Sequence, residues 1–333
     1  MPPNPQSAPP PNSRLWTLDY RLTATAAILA AVAVSAFGGS INAYFLDVAM
    51  TAGIAIVMAV SLNLINGHTG LFSLGHAGFM AIGAYLSAAV TLFVGPHLAG
   101  PSPAAITTQL IFLAALVTGG LTAALAGFII GLPSLRLKGD YLALVTLGFG
   151  EIVRVVFQNI QPLGGALGLN GIPPLTTFAW IYGAVAVTVF TVSCLVNSTY
   201  GRGWLATRDN EIAARSIGLN TTRYKITAFA IGAFFAGVAG GLFAHLRMTI
   251  DPRGFDFSRS IEIILMVILG GMGNTLGVIL AAILLTLLPE VLRPVAEYRM
   301  VLYSLLLVTL MLVRPQGLLN LRFGKADKLK AES

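Results

Sequence analysis

Long apolar runs recur along most of the chain and are separated by short polar connections. A helix needs about 20 apolar residues to cross a bilayer, so runs near this length favour transmembrane helices over buried strands. The runs lie at 22–37, 46–65, 73–94, 110–132, 141–160, 179–196, 226–245, 260–272, 274–289 and 299–313. The pattern therefore predicts an all-α fold, a polytopic transmembrane helical bundle of about ten spans.

The least regular part of this pattern is the stretch 260–289. The residues Gly-Gly-Met-Gly-Asn occupy positions 270–274 in its middle, and glycine weakens the interior of a helix. Two alternatives follow for the stretch: one long helix, or two segments that are broken at these residues.

Composition places this bundle in lipid. Hydrophobic residues make up 56% of the 333 residues and charged residues only 10%, whereas a soluble domain carries roughly 25% charge. A chain this apolar cannot cover itself with polar surface, so the lipid bilayer must cover it. The formal net charge of +7 comes from basic residues between the apolar runs, which indicates membrane topology and anionic headgroups rather than nucleic acid.

The distribution of lysine and arginine predicts the orientation. With ten spans, the loops on one side are 1–21, 133–140, 197–225 and 314–333, and they carry 14 of the 20 basic residues. Cytoplasmic loops are enriched in basic residues, so this side is predicted to be cytoplasmic. The chain then has a disordered tail at 1–21, a transmembrane domain at 22–313 and a second tail at 314–333, with both termini in the cytoplasm.

The polar loop 197–225 contains a helix-like stretch from Leu205 to Leu219. Its small and apolar positions share one helical face, while its charged residues point elsewhere. The positions on that face are Ala206, Ile212, Ala213, Ser216 and Ile217. Gly218 and Asn220 suit the C-terminus of a helix, so the loop is predicted to hold one short amphipathic helix on the cytoplasmic side.

The stretch 63–79 is rich in glycine, with asparagine, serine, threonine and histidine between the glycines. One interpretation is a broken helix that lines a translocation path, where irregular backbone is tolerated beside water. The other is tight helix packing with hydrogen bonds between helices. For His68 and His76 the corresponding alternatives are a substrate-facing role and a satisfied packing role.

Glu151 and Arg154 are three residues apart inside a predicted span and therefore share a helical face. Charges inside a membrane are costly and are expected to face protein or water. The two residues either contact a zwitterionic amino acid or form a structural ion pair, and a local pair is also predicted for Arg259 and Glu262. The candidate residues of a translocation path are Asn63, Asn66, His68, His76, Thr146, Glu151 and Arg154.

Four stretches carry a resemblance to a known family. They read NLINGHTGLFSLGHAGF at 63–79, LRLKGDYLALVTLGFGE at 135–151, RDNEIAARSIG at 208–218 and ILGGMGN at 268–274. At these residues the chain resembles the permeases of branched-chain amino acid ATP-binding-cassette (ABC) transporters, specifically the larger of the two paired permease subunits. The resemblance runs from about residue 45 to about residue 319, where it ends in RPQGLL.

The resemblance implies a subunit of an importer in the plasma (inner) membrane of a bacterium. Such a subunit pairs with a homologous second permease, and two ABC ATPase subunits bind it on the cytoplasmic side. A periplasmic binding protein delivers leucine, isoleucine or valine from the other side. The transporter therefore takes its energy from partner subunits.

The resemblance also implies how the chain couples to the ATPase. In ABC importers a cytoplasmic loop with the pattern E-A-A-x-x-x-G docks into a cleft on the ATPase. Ala213, Ala214 and Gly218 hold this register, whereas Ile212 takes the place of the glutamate and Glu211 precedes it. The residues expected to couple to the ATPase are Leu205, Arg208, Glu211, Ala213, Ala214 and Gly218.

Motifs of several enzyme classes are missing from the sequence. It contains no G-x-x-x-x-G-K-[ST] phosphate loop and no H-E-x-x-H or G-x-S-x-G motif, so we predict no catalytic residue, no metal and no cofactor. The single cysteine, Cys194, allows no disulfide within the chain.

Other transport functions stay open as alternatives. An ABC permease for urea, short amides or another amino acid would share the same motifs. An ion-coupled secondary transporter would need more acidic residues inside its spans than Glu151. A membrane scaffold would leave the amphipathic helix and the glycine-rich stretches unexplained.

Overall fold

A computed structural model describes residues 42–99, 105–134 and 140–292, together with positions 305 and 308. The helices are α1 (Ala43–Asn63), α2 (His76–Ala89), α3 (Ala105–Ser134), α4 (Asp140–Asn159), α5 (Phe178–Asn197), α6 (Thr199–Asp209), α7 (Glu211–Ser216), α8 (Thr221–Arg247), α9 (Phe257–Gly270) and α10 (Thr275–Val291). The shorter elements are π-helices at Leu64–His68 and Val90–Val94, a helical turn at Gly95–Ala99, 3-10 helices at Gln161–Leu163, Gly165–Leu167 and Pro252–Phe255, and strands β1 (Leu169–Asn170) and β2 (Thr249–Ile250).

Six helices in the described ranges are long and apolar enough to cross a membrane. They extend over Ala43–His68, His76–Leu98, Ile106–Leu132, Tyr141–Asn159, Phe178–Asn197 and Thr221–Arg247. The fold is therefore the predicted polytopic helical bundle. The predicted spans 22–37 and 299–313 lie outside the described residues, apart from positions 305 and 308, and the count of ten stays a prediction.

The stretch 260–289 forms two helices, so the alternative of one long helix is wrong. The break lies between Gly270 and Thr275, where Gly271 and Gly273 have φ values of +89° and +87° that favour glycine. Helix α10 runs antiparallel to α1, because Tyr44 bonds to Glu290 at one end and Asn63 to Gly273 at the other. Helix α10 therefore extends along α1 from one end to the other.

Helix α8 forms the centre of the bundle, packed on α1, α2 and α3. Glycines let the backbones meet: a Cβ atom on Gly83 of α2 would lie 2.1 Å from the Gly237 carbonyl oxygen of α8. Gly240 makes the same kind of approach to Met80, at 2.0 Å from its carbonyl oxygen. Small residues at helix contacts are the usual device for packing in membranes, where burial of apolar surface supplies little driving force between helices.

The outer helices α3, α4 and α5 leave many large apolar side chains exposed. Examples are Leu121, Leu125, Leu144, Val187 and Phe190, each between 47% and 63% exposed. A soluble protein rarely leaves so much apolar side-chain area in water. These helices therefore present surfaces for lipid or for another membrane subunit.

The two ends of the bundle are formed by different short elements. At the end that we call the strand end, β1 and β2 pair antiparallel with Leu169 opposite Ile250. Nearby, Arg247 at the end of α8 reaches the Asp47 carboxylate at 3.3 Å. At the opposite end, α6 and α7 connect α5 to the start of α8. We call this the α6–α7 end.

The predicted single helix over 205–219 is wrong, because the segment forms two helices that meet at Asn210. That residue has an extended backbone, with φ −156° and ψ 102°, and its side chain accepts hydrogen bonds from the first N–H groups of α7. Asparagine is a strong N-cap, so the break has a local cause. Gly218 ends the segment with φ +87°, whereas Asn220, expected at the same C-terminus, caps the start of α8.

Candidate functional site

Residues 63–76 form a turn between α1 and α2 that we call the polar turn. Helix α1 widens into the π-helix Leu64–His68, and an extended segment then leads to α2 at His76. Side chains satisfy the backbone of that segment: the Ser73 N–H donates to Asn66 Oδ1 at 3.2 Å, and the Leu74 N–H donates to Thr146 Oγ1 at 3.0 Å. The predicted broken helix is confirmed as a structure.

The same region is also tightly packed, as the second interpretation predicted. A Cβ atom on Gly75 would lie 2.1 Å from the Thr146 carbonyl oxygen, and one on Gly78 would lie 2.9 Å from Gly150 Cα. The start of α2 therefore packs directly against the backbone of α4 at these glycines. The glycines therefore serve both purposes, since they permit the irregular turn and the close approach of its neighbours.

Buried polar atoms without a hydrogen-bond partner are concentrated in the polar turn. Within the described ranges there are five: Asn63 Nδ2, Asn66 Nδ2, His68 Nε2, Ser73 Oγ and His76 Nδ1. Their residues are between 0% and 5% exposed. Native proteins leave few such groups, and each costs several kcal/mol in a bilayer. The turn therefore offers donors and acceptors to polar groups that come from outside the chain.

The hydrogen bonds of His76 fix which of its nitrogens is an acceptor. Ser61 Oγ donates to the Met58 carbonyl at 2.9 Å, so its one proton is used and it accepts from His76 Nε2 at 2.8 Å. A neutral His76 therefore carries its proton on Nε2. Its unpartnered Nδ1 keeps a lone pair and accepts a hydrogen bond.

Glu151 and Arg154 do touch. Both Arg154 Nε and Nη2 lie 2.7 Å from Glu151 Oε2, and the side chains are 34% and 29% exposed for Glu151 and Arg154. The predicted pair of Arg259 and Glu262 is also present, at 2.7 Å. The charge on Glu151 is thus matched within its own helix, which agrees with the ion-pair interpretation.

Glu211 anchors α7 to α8. Its carboxylate lies 2.8 Å from Lys225 Nζ and 2.6 Å from Arg215 Nη2, and it accepts from Thr221 Oγ1 at 3.3 Å. Burial raises the pKa of Glu211, but the hydrogen bonds and positive charges around it outweigh burial, so its pKa is lowered overall. The carboxylate is therefore charged at neutral pH.

The other residues predicted to couple to an ATPase point in different directions. Ala214 is 2% exposed and packs inward, whereas Ala213 is exposed. Leu205 is half-buried, and Gly218 is exposed with nothing within 4 Å of a Cβ atom there. The outward surface of α7 and its C-cap also carries two large apolar side chains, Ile212 at 73% exposure and the C-cap residue Ile217 at 76%.

Arg208 is exposed, but its guanidinium reaches the polar turn. Its Nη1 donates to the Gly67 carbonyl at 3.0 Å, and its Nε and Nη2 each lie 3.1 Å from Asp209 Oδ1. The sequence carried no signal for the contact with Gly67, which is 141 residues away. Lys225 was likewise missed as the partner of Glu211, because no helical spacing relates the two residues.

The structure brings part of the predicted path together. Asn63, Asn66, His68 and His76 lie in the polar turn, and the Thr146 hydroxyl of α4 accepts a hydrogen bond from its Leu74 N–H. Asn63 Oδ1 also accepts from the Gly273 N–H at 2.8 Å, which joins the polar turn to the break between α9 and α10. The pair of Glu151 and Arg154 lies further along α4, beyond the glycine contact of Gly150.

Comparisons with known proteins agree with the resemblance. The family model "Branched-chain amino acid transport system / permease component" matches residues 44–313. The high-affinity branched-chain amino acid transport system permease protein LivM of Salmonella typhimurium is 40% identical over 75% of this chain and 64% of that protein. LivM of Escherichia coli gives the same values.

One more distant relative has the same kind of name. The probable branched-chain amino acid transport permease protein LivM of Methanocaldococcus jannaschii is 27% identical over 64% of this chain and 70% of that protein. The chain spans less than two thirds of the length of the Salmonella and Escherichia relatives, at 64% of each. No solved structure matches the chain.

Proposed function

The chain belongs to the family of branched-chain amino acid transport permease components, and on this premise we propose that it is a membrane subunit of an ATP-driven importer. It translocates leucine, isoleucine and valine across the plasma membrane of a bacterium. Its partners are a homologous second permease, two ABC ATPase subunits and a periplasmic binding protein. ATP hydrolysis takes place in the ATPase subunits, and this chain is not itself an enzyme.

The observation that carries this proposal is the exposed apolar surface of α7. Ile212 on α7 is 73% exposed and Ile217, the residue that follows α7, is 76% exposed; α7 is not among the six helices long enough to cross a membrane. Burying such a side chain is worth about 1.5–3 kcal/mol, so the surface suits a protein partner. Ala213 and Gly218 beside it allow close approach, and the docking partner is the ATPase.

The anchoring of α7 supports a mechanical role. Glu211 holds α7 to Lys225 in the second turn of α8, and α8 packs on α1, α2 and α3. Movement of a docked ATPase is therefore transmitted to helices that cross the membrane. Alternating access then exposes the path first to the binding protein and next to the cytoplasm.

The polar turn is the proposed contact of the substrate within the membrane. An amino acid carries a carboxylate that accepts hydrogen bonds and an ammonium group that donates them. Asn63 Nδ2 and Asn66 Nδ2 are donors without partners, and His76 Nδ1 is an acceptor without one. Together with His68 and Thr146 they line the path, either directly or through water.

Glu151 and Arg154 have a different part in this proposal. They neutralise each other at 2.7 Å on a helix whose surface is largely exposed. A mutually paired charge can face a water-filled path or a second permease at low cost. We therefore assign them to the wall of the path as an ion pair, not as ligands of the substrate.

The charge distribution supports an orientation with the α6–α7 end in the cytoplasm. The basic residues near that end are Arg202, Arg208, Arg215, Arg223 and Lys225. Those near the strand end are Arg247, Arg253 and Arg259. The excess of basic residues marks the cytoplasmic side, and with ten spans both termini lie there as well.

Related permeases carry other solutes. The autoinducer 2 import system permease protein LsrC of Photorhabdus luminescens is 28% identical over 47% of this chain, so related sequences occur in importers with another named solute. Urea, short amides or other amino acids are the alternatives. Binding of leucine, urea and acetamide to the cognate binding protein, measured by calorimetry, distinguishes these substrate classes.

The first experiment is purification of the chain from its native membrane in mild detergent, followed by mass spectrometry of the proteins that accompany it. We expect a second permease and two P-loop ATPases. Recovery of the chain alone, under conditions that preserve a known ABC complex, would favour an ion-coupled secondary transporter. Glu151 would then be the first residue to test.

Docking at α7 is tested by Ile217→Arg. The variant is expected to reach the membrane but to lose the ATPases on purification. The matched control is Asn197→Arg, which adds the same charge at an exposed position of α5 near the same end. Retention of the ATPases by Ile217→Arg would refute docking at this surface.

A further inference from the structure

Arg208 connects the α6–α7 segment to the interior of the bundle. It lies in the last turn of α6, and its Nη1 donates to the Gly67 carbonyl in the π-helix at 3.0 Å. The stem of its side chain passes Gly70, where a Cβ atom would lie 2.7 Å from Arg208 Cγ. Gly70 has φ +69°, so glycine serves both the backbone conformation and the passage of the arginine.

The guanidinium also lies beside the break between α9 and α10. A Cβ atom on Gly273 would lie 3.4 Å from Arg208 Nη1 and the same distance from the Gly67 carbonyl oxygen. The Gly273 N–H donates to Asn63 Oδ1 at 2.8 Å. Arg208, Gly67, Gly273 and Asn63 therefore form one continuous set of contacts.

These contacts differ in kind from the anchor of α7. Glu211 and Lys225 join α7 to an uninterrupted helix of 27 residues. Arg208 joins α6 to two places where helices are interrupted, the π-helix after α1 and the glycine turn after α9. Interrupted helices are the elements that can change shape without unfolding a span.

We propose that Arg208 is a positioning residue: through its bond to Gly67, displacement of the α6–α7 segment changes the arrangement of the polar turn. The inference rests on the proposed function, and it assigns to Arg208 a role inside the permease in place of a contact with the ATPase. As a consequence, the positions of the hydrogen-bonding atoms in the polar turn differ before and after the ATPase moves.

The chemistry of arginine suits this role. Asp209 holds Nε and Nη2 on one side of the planar guanidinium, which leaves Nη1 aimed at the Gly67 carbonyl. A lysine ammonium is a compact group at the end of a flexible stem and cannot make both sets of contacts in one plane. Arg208→Lys is therefore expected to weaken the link while the positive charge is kept.

The test uses the complete transporter, purified with its partner subunits and reconstituted in liposomes. The variants are Arg208→Ala and Arg208→Lys, with Arg202→Ala as the matched control. Arg202 is an exposed arginine on the same helix whose side chain bonds locally to Thr199. For Arg208→Ala we expect the ATPases to stay bound, leucine uptake to fall at least about fivefold, and the ATP consumed per leucine to rise.

A second readout follows the polar turn directly. Ser73→Cys, in a Cys194→Ser background, places the one thiol of this chain at a buried position of the turn, and its labelling is followed on this subunit. With Arg208 present, the rate of thiol labelling is expected to differ at least about fivefold between the nucleotide-free and vanadate-trapped transporter. With Arg208→Ala this difference is expected to collapse, with Arg208→Lys to shrink, and with Arg202→Ala to persist.

Two results would overturn the inference. The first is that the Arg208→Ala transporter shows the same leucine uptake, and the same nucleotide dependence of thiol labelling, as the Arg202→Ala transporter. The other is loss of the ATPases from Arg208→Ala and Arg208→Lys alone, which would make Arg208 a docking residue. If the unmodified chain itself brings down no ATPase, the proposed function fails first, and the inference fails with it.

Discussion

Asn63 and Gly273 are 210 residues apart in the chain, and the Gly273 N–H donates to Asn63 Oδ1 at 2.8 Å. Asn63 is 0% exposed. The bond joins the end of α1 to the glycine turn between α9 and α10, and a Cβ atom on Gly67 would collide with both partners. Two interrupted helices are thereby held against each other inside the bundle.

Replacement of Asn63 by alanine is expected to destabilise the chain. The change removes the acceptor of a buried N–H, and an unsatisfied buried donor costs about 1–3 kcal/mol. The measurement is the free energy of unfolding of the detergent-solubilised chain in a denaturant titration. Asn197→Ala is the control, because that amide is exposed and bonds to the carbonyl of Ser193 on its own helix. Equal values for the two variants would contradict the role of Asn63.

Gly83→Ala is expected to prevent correct packing of α2 on α8. The new Cβ atom would lie 2.1 Å from the Gly237 carbonyl oxygen, and backbone cannot move aside as a side chain can. Gly148→Ala is the control, since nothing lies within 4 Å of a Cβ atom there and alanine is the better helix former. We expect monodisperse protein on gel filtration from Gly148→Ala and aggregated protein from Gly83→Ala.

The anchor of α7 gives a pH dependence. The pKa of Glu211 is lowered in the folded chain by its partners, so its contribution to stability is present above the ordinary glutamate range and is lost as pH falls through the folded pKa. Unfolding free energy is expected to decline below about pH 4. In Glu211→Gln this part of the decline should disappear. A parallel decline in both proteins would assign it to other carboxylates.

Exchange of Glu151 and Arg154 tests the ion-pair assignment. Arg154→Ala leaves Glu151 unpaired and is expected to lower the yield of assembled transporter. The double variant Glu151→Arg with Arg154→Glu keeps a pair at the same spacing and is expected to restore both yield and leucine uptake. Restored yield without uptake would instead indicate that one of the two charges contacts the substrate.

Local patterns in the sequence predicted most of the helices. An apolar run of about 20 residues has few alternatives to a membrane-crossing helix, and the six long helices follow that pattern. The break at Asn210 also had a local signal in the sequence. Asparagine is a strong N-cap, and a helix-forming stretch follows Asn210 directly. The predicted single helix gave the apolar face more weight than this cap and was wrong for that reason.

By itself, the sequence determined the class of fold and the places where helices could be interrupted, because both depend on neighbouring residues. Glycines at 70, 271 and 273 take positive φ values that other residues avoid. The tertiary structure alone decided which interruptions meet. Arg208 reaches Gly67, Asn63 holds Gly273 and Lys225 pairs with Glu211 because packing of α1, α8 and α10 brings together residues between which no helical spacing exists.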